Sequence, residues 1–510
     1  MNSVANSRSR PGDGGDAELA RRRLTGRGVD AEHGQAVALE LGLHGGRRVI
    51  IGKLQLDRPK AGRGRCGETL NQRALGEKIS EIGGEAGHAQ VHPASLPGIA
   101  RRKTRVNALL TWQFIHLLKP FAKKIDARVK LGHDAANITS FHLIMLANDS
   151  FHIAVLPGDG IGPEVTAPAL AVLDKVAAST PGLKFRFTEA PAGAGHYRDT
   201  GKSMPASTIK LCEEADAILL GACGLPHIRY PDNTEIMPQV ELRFIFDLYA
   251  GVRPCRLIPN VPSPIVGAAE RGIDLVVIRE STEGLFASMG KGVVTDTEAR
   301  ETLVITRKTS QRLFDFSFRL ARRRKARGRR GLLTCVDKAN AFKAYAFFRA
   351  MFDECAARYP DVDTDRLYVD ACSAMLVRRP WDFDVMVMEN MFGDIISDLT
   401  AGLIGGMGMA PSADIGDAHA VFQPCHGTAP DIMGKGLANP TAMILSAALM
   451  LDWLADRHGH AGAAQAARAI EHAVDRAFAA GLAPCEFGGR DGTAAIAGAV
   501  LRALDASMRA

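Results

Sequence analysis

The sequence predicts an α/β protein from residue 151 onward, because short apolar runs alternate with stretches of helical periodicity. The apolar run at 151–156 is typical of a buried strand and precedes a helical pattern that continues to about residue 178. The same order recurs at 383–388, where a second apolar run leads into a helix that begins near Asn390. The 510 residues are enough to bury a large core. No apolar run reaches about 18 residues, so we expect no membrane span.

Residues 1–144 differ from the rest of the chain in composition. They carry 24 Lys and Arg against 13 Asp and Glu, whereas residues 145–510 carry 39 against 43. This segment could be a basic arm for nucleic acid, a targeting presequence, or a translated upstream region with no structural role. Its acidic residues disfavour a presequence, and the dilution of its basic residues disfavours a nucleic-acid arm. We expect a disordered or non-native extension, with Met145 as the natural start.

The remaining chain is mildly acidic, so its charge gives no argument for a nucleic-acid or membrane partner. One basic run stands out, since residues 322–330 contain seven Lys and Arg in nine positions. It lies between a predicted helix at 301–319 and a predicted strand at 332–336, and a solvated helix end explains it better than a nucleic-acid site. The nine cysteines have neither paired nor metal-ligand spacing, which indicates a protein of the reducing cytoplasm.

Asp394 and Asp398 are the most informative acidic residues. They lie four residues apart in the predicted helix after 383–388, so both carboxylates project from one face. Two such carboxylates repel each other, and a bound Mg²⁺ or Mn²⁺ would remove that repulsion. A solvated acidic face is the alternative interpretation. Two further residues favour the metal site, namely Asp370, which ends a strand-like run, and Lys338 upstream of it.

Three arginines lie at or near the ends of predicted elements. Arg243 is part of a predicted helix at 239–248, Arg253 follows that helix, and Arg279 ends a buried strand. A lone arginine is usually a surface residue. Three at such positions suit the bidentate binding of carboxylates, which lysine cannot reproduce.

The loop at 157–164 contains a glycine pattern that suggests a dinucleotide-binding fingerprint, with phosphates at a helix N-terminus. Its third glycine is misplaced, and Pro163 stands where the helix begins. We therefore set the Rossmann fold aside.

In their order along the chain, these motifs and the loop at 423–431 resemble those of the metal-dependent β-decarboxylating dehydrogenases. That family includes the isopropylmalate, isocitrate and tartrate dehydrogenases, and the resemblance extends from residue 151 to the C-terminus. It implies an isopropylmalate dehydrogenase-like α/β fold of two domains around a mixed central sheet, not a Rossmann fold. Residues 150–248 plus 405–510 would form a discontinuous cofactor-binding domain. Residues 249–404 would carry the substrate, metal and dimer contacts.

The resemblance also implies roles for individual residues. The substrate, a 2-hydroxy di- or tricarboxylic acid, would contact Arg243, Arg253, Arg279, Gln239 and Phe286. The metal ligands would be Asp370, Asp394 and Asp398. The catalytic residues would be Lys338, which accepts the hydroxyl proton, and Asp370, and both would come from the partner subunit of a homodimer. The cofactor would lie against Ile161, Asn340, His426, Gly427, Thr428, Ala429, Pro430, Asp431 and Asn439.

The implied reaction is the NAD- and Mg²⁺- or Mn²⁺-dependent oxidative decarboxylation of a malate-type 2-hydroxy acid. Asp431 favours NAD, because its carboxylate can accept hydrogen bonds from a ribose hydroxyl but would repel a 2′-phosphate. Two positions depart from the family. Phe286 replaces a tyrosine that protonates the enolate, and Gln239 replaces an apolar residue that contacts the isopropyl group. We therefore keep two alternatives open: oxidation of a polar acid such as tartrate or malate without obligatory decarboxylation, and a catalytically idle paralogue.

Overall fold

The computed structural model describes residues 150–509 and, closer to the N-terminus, the backbone of three short strands. These are β1 (Val37–Gly42), β2 (Arg48–Leu54) and β3 (Phe141–His142), which pair antiparallel in the order β1–β2–β3. The rest of the predicted extension at 1–144, and Met145 with it, lies outside the described residues. The disordered extension and the start at Met145 therefore stay predictions.

Strands and helices alternate from residue 150 onward, as the sequence predicts. The strands are β4 (Ser150–Gly158), β5 (Lys184–Glu189), β6 (Ala217–Ala222), β7 (Ala250–Arg256), β8 (Asp274–Glu280), β9 (Val293–Val294), β10 (Ala299–Arg300), β11 (Leu332–Asp337), β12 (Asp363–Tyr368), β13 (Val385–Met388), β14 (Pro411–Ile415) and β15 (Ala420–Pro424). The helices are α1 (Gly162–Ser179), α2 (Ala194–Thr200), α3 (Ala206–Glu214), α4 (Pro238–Ile245), α5 (Ala268–Arg271), α6 (Arg307–Ala326), α7 (Lys343–Ala356), α8 (Val369–Arg378), α9 (Asn390–Leu403), α10 (Thr441–His458), α11 (Ala461–Ala479) and α12 (Thr493–Arg509). None of the helices in this described part is long and apolar enough to cross a membrane.

Ten of the described strands form one mixed sheet in the order β12-β11-β13-β8-β7-β14-β15-β6-β4-β5. The strands β7, β14 and β15 each run antiparallel to the strand before them in this order, and the outer strands on both sides are parallel. This mixed α/β sheet confirms the predicted fold class. The β12–β7 half contains strands from residues 249–404 alone, and the β14–β5 half contains the others. Because the sheet is continuous across both halves, the predicted two-domain division stays a prediction.

The core lies on both faces of this sheet. Every residue of β6 and β13 is buried, as expected for strands that helices cover on both sides. Helix α10 is buried along most of its length and packs on β14 and β15. On the other half of the sheet, an aromatic cluster joins α6 to α7, with ring centroids of Phe314 and Phe348 4.7 Å apart.

Three element boundaries differ from the sequence prediction, each for a local reason. Helix α4 ends at Ile245 rather than at 248, and Asp247 beyond it has a left-handed backbone with a φ of 50°. Helix α6 begins at Arg307 rather than at 301, because Thr306 caps its N-terminus by accepting a hydrogen bond from the backbone N–H of Thr309. Asp370 lies in the first turn of α8 rather than at the end of a strand.

The basic run at 322–330 ends helix α6, as predicted, but acidic side chains rather than water alone surround it. Arg324 pairs with Asp274 and with the buried Asp384. The other ion pairs are Arg322 with Asp361, Arg323 with Asp456, Arg327 with Asp452, and Arg329 with Asp274. This run is therefore an intramolecular ion-pair network, which leaves little positive charge for a nucleic acid.

Candidate active site

The three predicted arginines converge at the middle of the sheet because of the strand register. Gly251 of β7 pairs with Arg279 of β8 on one side and with Asp414 of β14 on the other. Residues paired in this way point to the same face of a sheet, and Arg253 shares that face because it lies two residues after Gly251. Arg243 reaches the cluster from α4. We call Arg243, Arg253, Arg279 and Asp414 the arginine floor.

Asp414 is the residue of this floor that the sequence analysis missed. It is fully buried and accepts hydrogen bonds from Arg243 Nε at 3.1 Å and from Gln423 Nε2 at 3.1 Å, while Arg253 approaches it at 3.4 Å. Burial alone would raise the pKa of Asp414, but the three arginines outweigh burial and hold the pKa below its ordinary value. Asp414 and Arg243 are 171 residues apart in sequence, so no local pattern marks them as partners.

Arg279 connects the floor to helix α9. Its guanidinium donates to the Asn390 side-chain oxygen at 2.9 and 2.7 Å, contacts Asp394, and lies 5.4 Å from the ring centroid of Phe286. A Cβ at Gly393 would lie 2.6 Å from the Cβ of Arg279, so only glycine allows α9 to approach so closely. Burial, together with the neighbouring Arg243 and Arg253, lowers the pKa of Arg279 to about 10.

Gln239 lies on α4 one turn before Arg243, so the two side chains share a helix face. Its side-chain Oε1 atom is buried and accepts no hydrogen bond from any described residue. A buried acceptor without a donor is costly, so a water, a ligand or a partner subunit that donates a hydrogen bond here would stabilise the site. The structure therefore brings Phe286 and all three predicted arginines together, with Gln239 one helical turn from Arg243.

The predicted metal ligands are only partly brought together within one chain. Asp394 and Asp398 project from the same face of α9, and burial together with the Asp394 charge raises the pKa of Asp398. Asp370 instead contacts Lys338, whose hydrogen bond lowers the pKa of Asp370. Among the described residues, no three acidic, histidine or cysteine side chains lie close enough to hold a metal ion. The two halves of the predicted metal site are thus separate in a single chain.

Two loops form the predicted cofactor surface. The backbone N–H of Ile161, at the start of α1, donates to the Thr428 carbonyl at 2.9 Å. Thr428 is buried, and its hydroxyl donates to the Gly224 carbonyl at 2.6 Å. The loop at 157–164 and the loop after β15 are therefore one unit, which the sequence alone did not join.

The side chains of the loop after β15 differ in their environments. The His426 Nε2 atom is buried and has no hydrogen-bond partner among the described residues, and burial lowers the pKa of this imidazole. Gly427, Pro430 and Asp431 are exposed, and Ala429 adopts a left-handed φ of 38°. An unpartnered ring nitrogen beside an exposed, tightly turned loop suits a polar ligand such as a nucleotide.

Two predicted cofactor residues lie apart from that exposed surface. Asn439 is buried, and its amide donates to Glu486 at 3.0 Å while its oxygen accepts from the Thr441 N–H at 3.1 Å. Asn340 is exposed in the loop after β11, two residues from Lys338 and in the other half of the sheet. Asn340 therefore lies in the same loop as Lys338 and not with the loop that contains His426.

The sequence analysis also missed the role of Glu164 in the first turn of α1. Its carboxylate accepts hydrogen bonds from the Gly434 and Ala438 N–H groups at 3.2 and 3.3 Å, and from the Thr493 hydroxyl at 2.6 Å. This one side chain ties the loop after β15 to helices α1 and α12. Its partners lie 270 or more residues away, so only the tertiary structure shows the function of this glutamate.

Comparisons with known proteins place these features in a family. The profile of isocitrate/isopropylmalate dehydrogenases matches residues 152–500. The 3-isopropylmalate/3-methylmalate dehydrogenase of Methanocaldococcus jannaschii is 41% identical over 341 residues, which cover 66% of this chain and 94% of that protein. The 3-isopropylmalate dehydrogenase of Aquifex aeolicus is 42% identical over 314 residues, which cover 59% of this chain and 84% of that protein.

Solved structures agree with the sequence relatives. The isocitrate dehydrogenase of Methylococcus capsulatus superposes with a TM-score of 0.60 at 35% identity and covers 69% of this chain and 99% of its own. A β-decarboxylating dehydrogenase of Thermococcus kodakarensis superposes with a TM-score of 0.57 at 33% identity, over 70% of this chain and 96% of its own. The similarity therefore covers the part of the chain that carries the candidate site.

Proposed function

The chain belongs to the isocitrate/isopropylmalate dehydrogenase family, and from that premise we propose that it catalyses the NAD-dependent oxidative decarboxylation of a malate-type 2-hydroxy acid. The single observation that carries the proposal is the arginine floor beside the acidic pair of α9. Buried arginines next to carboxylates fit a substrate that is itself an anion and carries an oxygen ligand for a metal ion.

Substrate binding is the task of the arginine floor. Each guanidinium presents parallel N–H groups that match the two oxygens of a carboxylate. Asp414, Ser412 and Asn390 hold the three guanidinium groups in place, so little side-chain entropy remains to be lost when the substrate binds. Phe286 lies against the Arg279 guanidinium and adds an apolar ring beside the arginine floor.

Asp394 and Asp398, with Asp370 from a partner subunit, would hold Mg²⁺ or Mn²⁺. Carboxylate oxygens are the donors that these hard cations prefer. Burial and then the neighbouring Asp394 charge raise the pKa of Asp398, and a bound cation would offset both. When bound, the metal polarises the substrate hydroxyl and lowers its pKa. Lys338 in its neutral amine form would then take the hydroxyl proton, and the charge on Asp370 would keep the resulting ammonium group in place.

NAD would bind across the two loops that meet at Ile161 and Thr428. The buried His426 Nε2 atom has room for a hydrogen bond to the cofactor, and the exposed Asp431 can accept one from a ribose hydroxyl. When bound, NAD accepts the hydride that leaves the substrate carbon. The loss of CO₂ from the oxidised acid then leaves an enolate that needs a proton, and Phe286 has none to give.

A homodimer with shared sites accounts for the separation of the metal ligands. Large apolar side chains are exposed beside the residues concerned. Ile395, next to Asp394, is 60% exposed, and Phe342, four residues after Lys338, is 58% exposed. The two-stranded β9–β10 ribbon adds the exposed Val293 and Val294. A second copy that covers these surfaces would bury apolar area.

Phe286 favours one alternative function, the oxidation of a polar hydroxy acid without obligatory decarboxylation. A tyrosine at that position would offer a hydroxyl in the pocket, whereas the phenylalanine ring offers only its face to Arg279. The unpartnered Gln239 oxygen agrees with a polar substrate, since a branched alkyl group would leave it without a donor at a cost of about 1–3 kcal/mol.

The test is NADH formation by the full-length protein with Mn²⁺, across isopropylmalate, malate, tartrate and isocitrate, with CO₂ measured in the same reactions. We expect turnover with at least one acid, activity with NAD rather than NADP, and loss of activity in EDTA. CO₂ equal to NADH supports decarboxylation, and NADH without CO₂ supports the alternative. No turnover with any of the four acids would contradict the proposal. Asp431→Arg, expected to improve the use of NADP relative to NAD, tests the cofactor assignment separately.

A further inference from the structure

Lys338 and Asp370 lie just beyond the ends of two neighbouring strands, β11 and β12. The proposed reaction nevertheless needs both side chains at fixed places in a partner subunit's site. We propose that Arg349 of α7 is a positioning residue that holds the two strand ends, and with them Lys338 and Asp370, in the geometry that the shared active site needs. This inference rests on the proposed function and adds a residue that acts through Lys338 and Asp370.

The strand register brings the two strand ends together. β11 and β12 are parallel neighbours, and Asp337 and Tyr368, the last residue of each strand, are paired with each other. Lys338 follows Asp337 directly, and Asp370 comes two residues after Tyr368. The register therefore fixes the point at which both segments leave the sheet.

Arg349 contacts both of these last strand residues from α7. Its guanidinium donates from Nε and Nη2 to the two carboxylate oxygens of Asp337 at 2.7 and 2.8 Å, and it lies 5.0 Å from the ring centroid of Tyr368. The Asp337 side chain is fully buried. A bidentate pair with a buried carboxylate holds the guanidinium plane in one orientation, so the Tyr368 ring packs against a fixed surface.

Asp337 and Tyr368 pass this constraint to the residues that follow them. The Asp337 carboxylate also accepts a hydrogen bond from the backbone N–H of Ala339 at 2.8 Å. The backbone on both sides of Lys338 is therefore tied to Arg349 through one side chain. On the other strand, Tyr368 is the N-cap residue of α8, and Asp370 lies in the first turn of that helix.

A matched contact joins α7 to β12 away from the strand ends. Arg366 pairs with Asp353 of α7 at 2.7 Å and lies 4.9 Å from the ring centroid of Phe352. Arg366 and Arg349 thus make the same two kinds of contact, but Arg366 lies in β12 two residues before Tyr368. If Arg349 acted only by packing α7 on the sheet, substitutions of the two arginines would have similar effects.

The first experiment uses mixed dimers of the full-length protein. Arg349→Met should lower kcat by up to roughly 10²-fold, the effect of misplacing a reacting group by about 1 Å. Co-expressed with Asp394→Asn, it should regain about a quarter of the wild-type activity, because mixed dimers contain one site whose Lys338 and Asp370 come from a chain with an intact Arg349. Co-expressed with Lys338→Met, it should regain nothing beyond the activity of Arg349→Met alone.

Recovery with Lys338→Met, or no recovery with Asp394→Asn, would overturn the proposal, because Arg349 would then act on the arginine-floor side of the site or on the fold as a whole. Co-expression of Lys338→Met with Asp394→Asn shows whether sites are shared at all. Failure of the proposed shared site and failure of this inference therefore give different results.

Mn²⁺ binding, followed by electron paramagnetic resonance, gives a second measurement that needs no turnover. Arg349→Lys keeps a charge beside Asp337 but loses the bidentate fork and the planar stack, so it remains a test if Arg349→Met fails to fold. It should weaken Mn²⁺ binding by roughly tenfold, as expected when a group that orients a metal ligand is lost. Arg366→Lys should leave Mn²⁺ binding and kcat unchanged.

Equal Mn²⁺ binding by the wild type and Arg349→Lys would overturn the proposal, and so would an equal loss in Arg366→Lys. A wild-type protein that binds no Mn²⁺ would overturn the proposed function and this inference with it.

Discussion

The arginine floor and the Lys338–Asp370 pair are two charged regions of one predicted active site, yet they are built in opposite ways. The Asp414 side chain is 1% exposed and lies within a hydrogen-bonded set from four separate elements. The Asp370 side chain is 65% exposed, and in the described structure its ionic contact is with Lys338. The floor is complete in one chain, whereas the pair faces solvent.

This difference separates two kinds of task. Buried guanidinium groups keep a fixed geometry because every change in their positions would break hydrogen bonds at low dielectric. They therefore suit substrate recognition. An exposed ion pair contributes little to stability, so its presence at motif positions needs another explanation. In the proposed dimer, the explanation is that Lys338 and Asp370 complete the neighbouring subunit's site.

The largest predicted effect tests that explanation directly. Lys338→Met should lower kcat by roughly 10²–10⁴-fold, the usual contribution of a general base. Asp394→Asn, on the other side of the site, should also be nearly inactive. When the two variants are co-expressed with different tags, mixed dimers should regain one intact site each. A random mixture should then recover about a quarter of the wild-type activity.

Each variant expressed alone is the control, together with a mixture of the two proteins after purification, in which subunits have had no chance to exchange. If the co-expressed mixed dimers are as inactive as the single variants, Lys338 acts in the active site of its own chain. The proposal that two subunits share Lys338 and Asp370 would then be wrong.

The second prediction concerns the contact that joins the floor to the acidic helix. Gly393→Ala should destabilise the protein by about 1–3 kcal/mol, because the added Cβ would overlap Arg279 and force α9 away from β8. The displaced Arg279 and Asp394 should also raise the KM for the substrate. Thermal unfolding and steady-state kinetics measure the two effects.

Gly402→Ala is the matched control on the same helix. Nothing lies within 4 Å of a Cβ at Gly402, so alanine there should leave the KM unchanged and stabilise the protein by up to about 1 kcal/mol through helix propensity. Equal effects of the two substitutions would show that Gly393 is an ordinary helical glycine and that the close approach to Arg279 has no functional weight.

The contrast between the two regions also explains what the sequence could predict. Asp394 and Asp398 are found from sequence because their relation is local, set by the helical spacing of four residues. Arg279 is found because it ends a buried strand. Asp414 and Glu164 are not found, because the arginines that Asp414 binds are 161 and 171 residues away and the partners of Glu164 are 270 or more residues away. Local sequence patterns identify charged side chains, but they do not identify the distant side chains and backbone groups that pair with them.

Asp370 illustrates the same limit in another way. Its place in the family motif predicts a metal ligand, and the structure of one chain places it with Lys338 instead of with Asp394 and Asp398. No pattern in a sequence distinguishes a ligand that acts within its own chain from one that acts in a partner. The basic run at 322–330 shows the converse, since its acidic partners come from residues as distant as Asp456.

The smallest predicted effect tests whether Lys338 and Asp370 are the only residues of the site that transfer protons. Phe286→Tyr places a hydroxyl on the ring that lies against Arg279 in the floor. If this pocket is adapted to a polar acid, as the unpartnered Gln239 oxygen suggests, the new hydroxyl should change kcat for that acid by less than roughly tenfold, about 1.4 kcal/mol in activation free energy. NADH and CO₂ should be measured together for wild type and variant. A large increase in kcat that is confined to isopropylmalate would instead mean that the wild-type site lacks a proton donor that decarboxylation needs. Gln239 would then be compatible with an alkyl group of the substrate. The arginine floor could no longer be described as binding substrate only, with proton transfer left to Lys338 and Asp370.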